Sequence, residues 1–488
     1  MSAFRIPGLV VVIGLLVGGV VLDRDREPIE PVTTETVAPV PAVAPPDARS
    51  STWFCAAATA DEGGLADGLV ILSNTTPDPK TAVISVFEGG RQPIAGGEPD
   101  DLVREIDGQS SIDLRLADLA PESALVSIAV EVEGGGVIVE KVVSGPTGVA
   151  RSACQTEGSA DWVVPTGSTI PGARLQLVVF NPFPDDAVVD IDFVTEAGVR
   201  QPEDLQALHI PSQSSRLIEI ADVVAAAETV SSFVRARRGR VITEAIQSFD
   251  GSGDPTGLSI VSGAPAPAET WAFPGVTPAL GPARLVVVNP GETIIRADVE
   301  VWPSGAERFV EPFELTLRGG QNEIVDLTDV GRLADLDSFT LVVRSIDGPR
   351  LVAGLEQRPA AAEPDPLADL IDLPEAPTTG FAASAGQALE SLELFSIIEV
   401  QEDDDRSALH LYNPAPDTFA RIEATIASGG SSRVVNFEVG PLRTARIPLA
   451  ELATGRYSLQ LRSSSPLAAA REVTGLSSRS WAPMLPLG

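Results

Sequence analysis

Leu175-Gln176-Leu177-Val178-Val179-Phe180-Asn181-Pro182 decides the fold, because the same apolar run ending in Asn recurs along the chain. Leu285-Val286-Val287-Val288-Asn289-Pro290 and Leu409-His410-Leu411-Tyr412-Asn413-Pro414 echo it, and Leu69-Val70-Ile71-Leu72-Ser73-Asn74 repeats it with Thr75 in place of Pro. The four Asn stand 107, 108 and 124 residues apart. A period near 108 is the size of a whole domain, so the chain reads as a tandem array of duplicated modules. Asn tolerates unusual backbone angles and Pro presets its own, which marks each pair as a turn between strands. Trp53, Trp162 and Trp271 fall 109 residues apart and mark module starts, with Phe381 expected in that place in the fourth copy.

Outward from the turn, each copy continues with a strand of period-2 alternation. Val189, Ile191 and Phe193 alternate with Asp190 and Asp192; Ala297, Val299 and Val301 alternate with Asp298 and Glu300. This is the pattern of an antiparallel strand with one face in the core and one in water. A third shared segment ends in an acidic residue (Asp118, Asp222, Asp329, Glu451) suited to capping a turn. Two more apolar runs separated by Gly, such as Leu125 to Val132 and Val137 to Val143 around Gly134, Gly135 and Gly136, predict a hairpin. Six to eight short strands per module of about 100 residues give the expected fold class: all-β, tandem immunoglobulin-like β-sandwich domains. The expected boundaries are 51–158, 159–267, 268–358 and, after a Pro/Ala/acid-rich linker at 359–380, 381–488.

Ahead of the modules, Ile6 to Leu22 is an apolar run of 17 residues without a charge, the short end of a membrane span of roughly 17–25 residues. It reads as an uncleaved signal anchor over 1–22, with a cleaved secretory signal as the alternative. Residues 23–50 are rich in Pro and read as a disordered spacer. Both readings put the rest of the chain outside the cytoplasm, in a single-pass arrangement or secreted. Cys55 and Cys154, the two cysteines, flank the first module and are expected to form a structural disulfide in an oxidising compartment. No Cys-x-x-Cys spacing or nearby His supports a redox pair.

The net charge of −34, with Lys80 and Lys141 the sole lysines, excludes nucleic acid, whose binding depends on basic side chains displacing counterions. No catalytic, cofactor-binding or metal-binding residue is assigned. His209 and His410 lie in different modules, and His410 is expected at a surface or core edge. Asp190 with Asp192 and Asp335 with Asp337 share strand faces that water normally solvates. The run Glu402-Asp403-Asp404-Asp405 reads as a charged loop, with cation binding as its sharper alternative. A sugar platform would need exposed aromatics, for which Trp302, Tyr412 and Phe183 are the candidates. The tail Ser480-Trp481-Ala482-Pro483 looks like a module opening and is expected to pack on the fourth sandwich.

The single N-terminal apolar segment, the Pro-rich spacer, Trp53-Phe54-Cys55, and the repeated Asn-Pro strands with Ser-Ile-Asp-Leu-like segments resemble an uncharacterised family of actinobacterial envelope proteins. The resemblance implies an envelope address and no catalytic residue. The expected function is that of a non-enzymatic cell-envelope scaffold, attached to the membrane through its N-terminal helix, with an envelope protein or cell-wall glycan as partner. A wall-polysaccharide-binding protein is the alternative, and a glycan hydrolase with a carboxylate pair a third.

Overall fold

A computed structural model describes residues 38–60, 64–90, 100–252, 255–278, 281–305, 310–333, 335–346, 348, 350–358, 380–388, 390–402, 404, 406–474 and 479–488. The apolar run 6–22, most of the spacer and most of the linker lie outside these residues. Among the described residues no helix is long and apolar enough to cross a membrane.

The described residues fold mainly into antiparallel strands. In the first copy these are β1 (Ser50–Ala58), β2 (Asp67–Asn74), β3 (Lys80–Gly89), β4 (Asp100–Ile106), β5 (Ser111–Arg115), β6 (Leu125–Glu133), β7 (Val137–Gly145) and β8 (Gly148–Ala153). They form two sheets, β1-β6-β3-β4 and β5-β2-β7-β8. The second and third copies repeat both sheets, with the small strand Leu208–Ile210 added in the second. In the fourth copy one long strand, Gly455–Thr474, runs through both sheets and joins them.

Two expectations change here. The final pair of runs is not a hairpin: β6 pairs with β1 and β3, whereas β7 pairs with β2 and β8 in the other sheet. Gly134 and Gly136 take φ of 97° and 76°, a corner that residues with a Cβ rarely adopt, and the chain crosses between the sheets there. The strand order also differs from the immunoglobulin one. There the first strand lies beside the second and the seventh beside the sixth. Here β1 lies beside β6 and β7 beside β2.

Phe381 does not open the fourth copy. It leads into Ala382–Ala385, which pairs with Val352–Gln357 as the last strand of the third copy. The insertion at 359–380 therefore falls between two strands of one sandwich. Leu394 holds the Trp place in the fourth copy, aligned through Leu461 with Ala424, as Trp53 is aligned through Val130 with Ile84. The Trp481 segment, Arg479–Pro483, pairs with Gly455–Thr474 and completes the fourth sandwich.

The disulfide forms between Cys55 and Cys154, 99 residues apart. It ties β1 to the residue after β8, so it fastens one sheet to the other. Residues 38–50 of the spacer, expected to be disordered, are tied to the folded body. Val43 is fully buried and is bonded through its amide to Pro486 O (2.8 Å) and through its carbonyl to the Gly488 amide (2.9 Å). Pro has no amide donor, and the amides that this stretch donates come from its other residues, among them Ala42 to Thr156 Oγ1 (3.4 Å).

The four sandwiches close on one another. The last strands of the four copies (β8, Thr256–Ser262, Ala382–Ala385 and Arg479–Pro483) meet in cyclic order, the fourth returning to the first. Ser152 Oγ lies 3.2 Å from Ser262 Oγ, and Ser259 Oγ both accepts from the Ala383 amide and donates to its carbonyl at 3.0 Å. Pro39, Val40 and Pro41 line the axial gap between these strands, which retains about 60 Å³. That is room for about two waters.

Candidate functional site

The recurring Asn is more than a turn former. Asn74, Asn181, Asn289 and Asn413 are buried. Asn181 Nδ2 donates to the carbonyls of Asp185 (2.9 Å), Ile210 (3.3 Å) and Pro211 (3.1 Å), and its Oδ1 accepts from the Phe183 amide (3.1 Å). Asn74 and Asn413 make the same set, and Asn289 makes it with Thr293, Leu317 and Gly291. One side chain thus fixes the turn and ties it to the end of a strand in the opposite sheet, satisfying carbonyls that burial would otherwise strand.

In the second, third and fourth copies the residue before the Asn belongs to the joint with the preceding sandwich. Phe180 packs on Phe87 of the preceding copy at 5.1 Å between ring centroids, and Tyr412 on Trp302 at 6.0 Å; Val288 and Val194 share one apolar cluster at the equivalent place. A polar bond accompanies each pair: Ser127 to Ser215 (2.6 Å), Ser231 to Asn322 (2.9 Å) and Thr340 to Thr444 (2.7 Å). Three successive joints therefore use one design. Hydrophobic cores run through them: one apolar cluster spans the first two sandwiches, and another joins Val163, Val194 and Phe233 of the second to the third and to Ala470 and Trp481 of the fourth.

The joint that closes the ring, between the fourth and first copies, is built from charges. Glu140 of β7 accepts from Arg471 Nη2 at 2.7 Å and from the Ile397 amide at 3.1 Å, with both side chains buried. Arg471 also donates to Ile397 O. Nearer the surface, Glu399 takes Arg151 and Arg456, and Arg456 reaches Asp113. A second buried pair, Lys141 with Glu244, crosses the joint between the first two copies. Burial pushes Lys141 down and Glu244 up from their ordinary values.

His410 is fully buried, which corrects the surface expectation. Its Nε2 lies 3.1 Å from Glu472 Oε2, and its ring fills the space over Gly275 of the third sandwich. Arg479 bonds Glu472 (2.8 Å) and reaches Gln357 Oε1 of the third sandwich (2.9 Å). Burial raises the Glu472 carboxyl, but Arg479 and His410 outweigh that and hold it at about 2. Trp481 stacks on Phe273 and donates to Pro274 O (2.9 Å), so the tail locks the third sandwich as well as the fourth.

Glu356, buried where the third sandwich meets Gly167 of the second, shows the opposite shift. Burial drives its carboxyl up to about 7 against the pull of Arg358, Arg284 and the Gly167 backbone. A carboxyl raised in the folded state binds more protons there than in the unfolded chain. Its contribution is therefore complete below pH 4.5 and is lost as pH rises through 7. At about 1.4 kcal/mol per pKa unit, the loss is about 3 kcal/mol. Glu356→Gln is expected to stabilise the protein by that order at pH 8 and to leave it nearly unchanged at pH 4, as measured by denaturant unfolding. Glu472 acts in the reverse sense, stabilising above pH 4.5 and losing its effect as pH falls toward 2.

The other candidates disperse. Asp190 is taken by Arg237 (2.7 Å) and the Ala207 amide (2.8 Å), and Asp192 by Gln201 and Gln206, so the two carboxylates serve separate partners. Asp118, Asp222, Asp329 and Glu451 are exposed, and no side-chain cap bond closes the helical turns that hold Asp118, Asp222 and Glu451. In the acidic loop Asp404 accepts from the Arg406 and Ser407 amides, while Asp403 and Asp405 lie outside the described residues. Among the described residues no group of three or more His, Cys, Asp or Glu is placed to hold a metal. Phe183 packs edge-on against Phe54 (5.8 Å) under the Arg240 guanidinium (4.0 Å), so all three aromatic candidates for a sugar platform are engaged in packing.

Part of this framework falls in a stretch that matches a family model. Residues 139–335 match DUF5719, a family of unknown function. The matched stretch runs from β7, with Glu140 and Lys141, through the second sandwich into the third. No curated protein matches the chain. A solved structure described as the tetra-tandem repeat in the extending region of a large adhesion protein is 11% identical, with 90% of this chain and 100% of that one covered and a TM-score of 0.11.

Proposed function

We propose that this protein is a non-enzymatic scaffold of the cell envelope, a closed ring of four sandwiches that presents its outer loops to a partner protein. The observation that carries the reading is where the polar and aromatic residues go. Asn181, Glu140, His410, Trp302 and Tyr412 all serve the staples and joints, which gives a rigid body rather than a cleft with free reactive groups. The disulfide supports an oxidising compartment outside the cytoplasm. Ile6 to Leu22 supplies the membrane attachment, single-pass, with the ring outside. The actinobacterial envelope origin belongs to this proposal as well.

Crosslinking in intact cells, followed by detergent extraction and purification of the full chain, tests it. One protein partner recovered in constant ratio, and rebinding the purified chain, is the expected result. Recovery of wall polysaccharide without a protein would overturn it in favour of glycan binding.

A further inference from the structure

The first and second joints differ at one residue. Phe183 and Gly291 each follow an Asn-Pro pair, and each donates its amide to the Asn Oδ1, at 3.1 and 3.0 Å, so the two backbones are set alike. At the first joint the Phe183 ring fills the space between Phe54 and Gly158, where a Cβ on Gly158 would lie 2.5 Å from the ring. Arg240 covers the ring at 4.0 Å from its centroid. At the second joint Gly291 supplies no ring, and a cleft of about 460 Å³ stands open there.

One wall of that cleft matches the filled one and two differ, the smaller Val163 widening it on one side and Pro267 bringing a ring where Gly158 has none. Val163 replaces Phe54, Pro267 replaces Gly158, and Arg350 replaces Arg240, each preceding the residue that pairs with the module entry (Leu351 with Ala268, Val241 with Ser159). Arg350 is exposed and has no hydrogen-bond, ion-pair or ring partner among the described residues. Arg235 lines the same cleft, lying over Phe233 and touching Pro290 O at 3.4 Å. Asp161 is on the rim, so two guanidiniums face one carboxylate, in a chain whose net charge is −34. A guanidinium over an aromatic face is a favourable contact, and a nearby carboxylate adds charge-assisted bonds.

We propose that this cleft binds a phenylalanine-type side chain of a partner polypeptide, stacked under Arg350, with an acidic residue close by in the partner sequence meeting Arg235. This deepens the scaffold reading and rests on it. The probe is the peptide acetyl-Asn-Pro-Phe-Pro-Asp-amide, which copies the segment that fills the first joint, titrated into the full chain by NMR or calorimetry. Saturable binding is expected, with Arg350→Ala weakening it about tenfold. Gly291→Phe, which supplies a ring within the cleft, is expected to abolish binding. The same peptide with Ala for Phe should not bind.

Absence of saturable binding to the wild type, or binding undiminished in Gly291→Phe, overturns the proposal. The partner crosslinked in cells separates this outcome from failure of the scaffold reading. A partner lost by Gly291→Phe supports both, and one retained overturns the cleft and leaves the scaffold standing. Peptide binding with no cellular protein partner supports the cleft's chemistry and overturns the scaffold.

Discussion

Replacing Arg471 by Met is expected to lower the free energy of unfolding by about 3–5 kcal/mol. Glu140, buried at the same joint, loses the guanidinium at 2.7 Å and keeps the Ile397 amide and the more distant charge of Arg151. A buried carboxylate stripped of its counter-charge bears a desolvation cost that water no longer relieves. Replacing both partners, with Glu140→Leu added, removes that stranded charge and should recover most of the loss. Urea unfolding of the wild type, the two single variants and the double variant measures the coupling. A loss below 1 kcal/mol in Arg471→Met would mean that the pair is not buried as described.

Asn181→Asp is the second large effect. The change keeps size and shape but replaces the donating amide by a carboxylate. The carbonyls of Asp185, Ile210 and Pro211 then face an oxygen instead of a donor. At roughly 1–3 kcal/mol for each of the three groups left unpaired, the cost is on the order of 3–9 kcal/mol. Asn181→Ala should cost less, because it adds no buried charge. Protonation gives the Asp one donor back, so the Asp variant should recover part of its stability on acidification while the Ala variant should not. Thermal unfolding of both variants at neutral and acidic pH checks this, and equal losses at both values would contradict the role given to the Asn amide.

What the sequence revealed, and what it hid, follows from the range of the interactions. The alternating strands are local patterns, and the repeat and the cysteine pair are legible from spacing and count; these give the strands and the disulfide. The hairpin reading of β6 and β7 failed because Gly between two apolar runs serves a turn within a sheet or a corner between sheets equally well. Phe381 misled because the insertion falls inside the third sandwich, so its Gly-Phe-Ala-Ala imitates a module opening. Phe180, Val288 and Tyr412 look like ordinary core positions, and nothing local distinguishes a joint from a core. Ring closure was hidden for the same reason: Glu140 and Arg471 are 331 residues apart and share no periodic signal. The open cleft was legible in part, because aligning the copies places Gly291 against Phe183. Its meaning required knowing that Phe183 fills a joint.

Closure of the four sandwiches into one ring is the central claim, and small-angle X-ray scattering of the folded chain from Ala38 to Gly488 tests it most directly. A single compact body of roughly 450 residues has a radius of gyration of about 22 Å. Four separate domains strung end to end, each with a radius of gyration near 13 Å, would give roughly 40 Å. The ring predicts a value in the low twenties, and one near the linear array would contradict it.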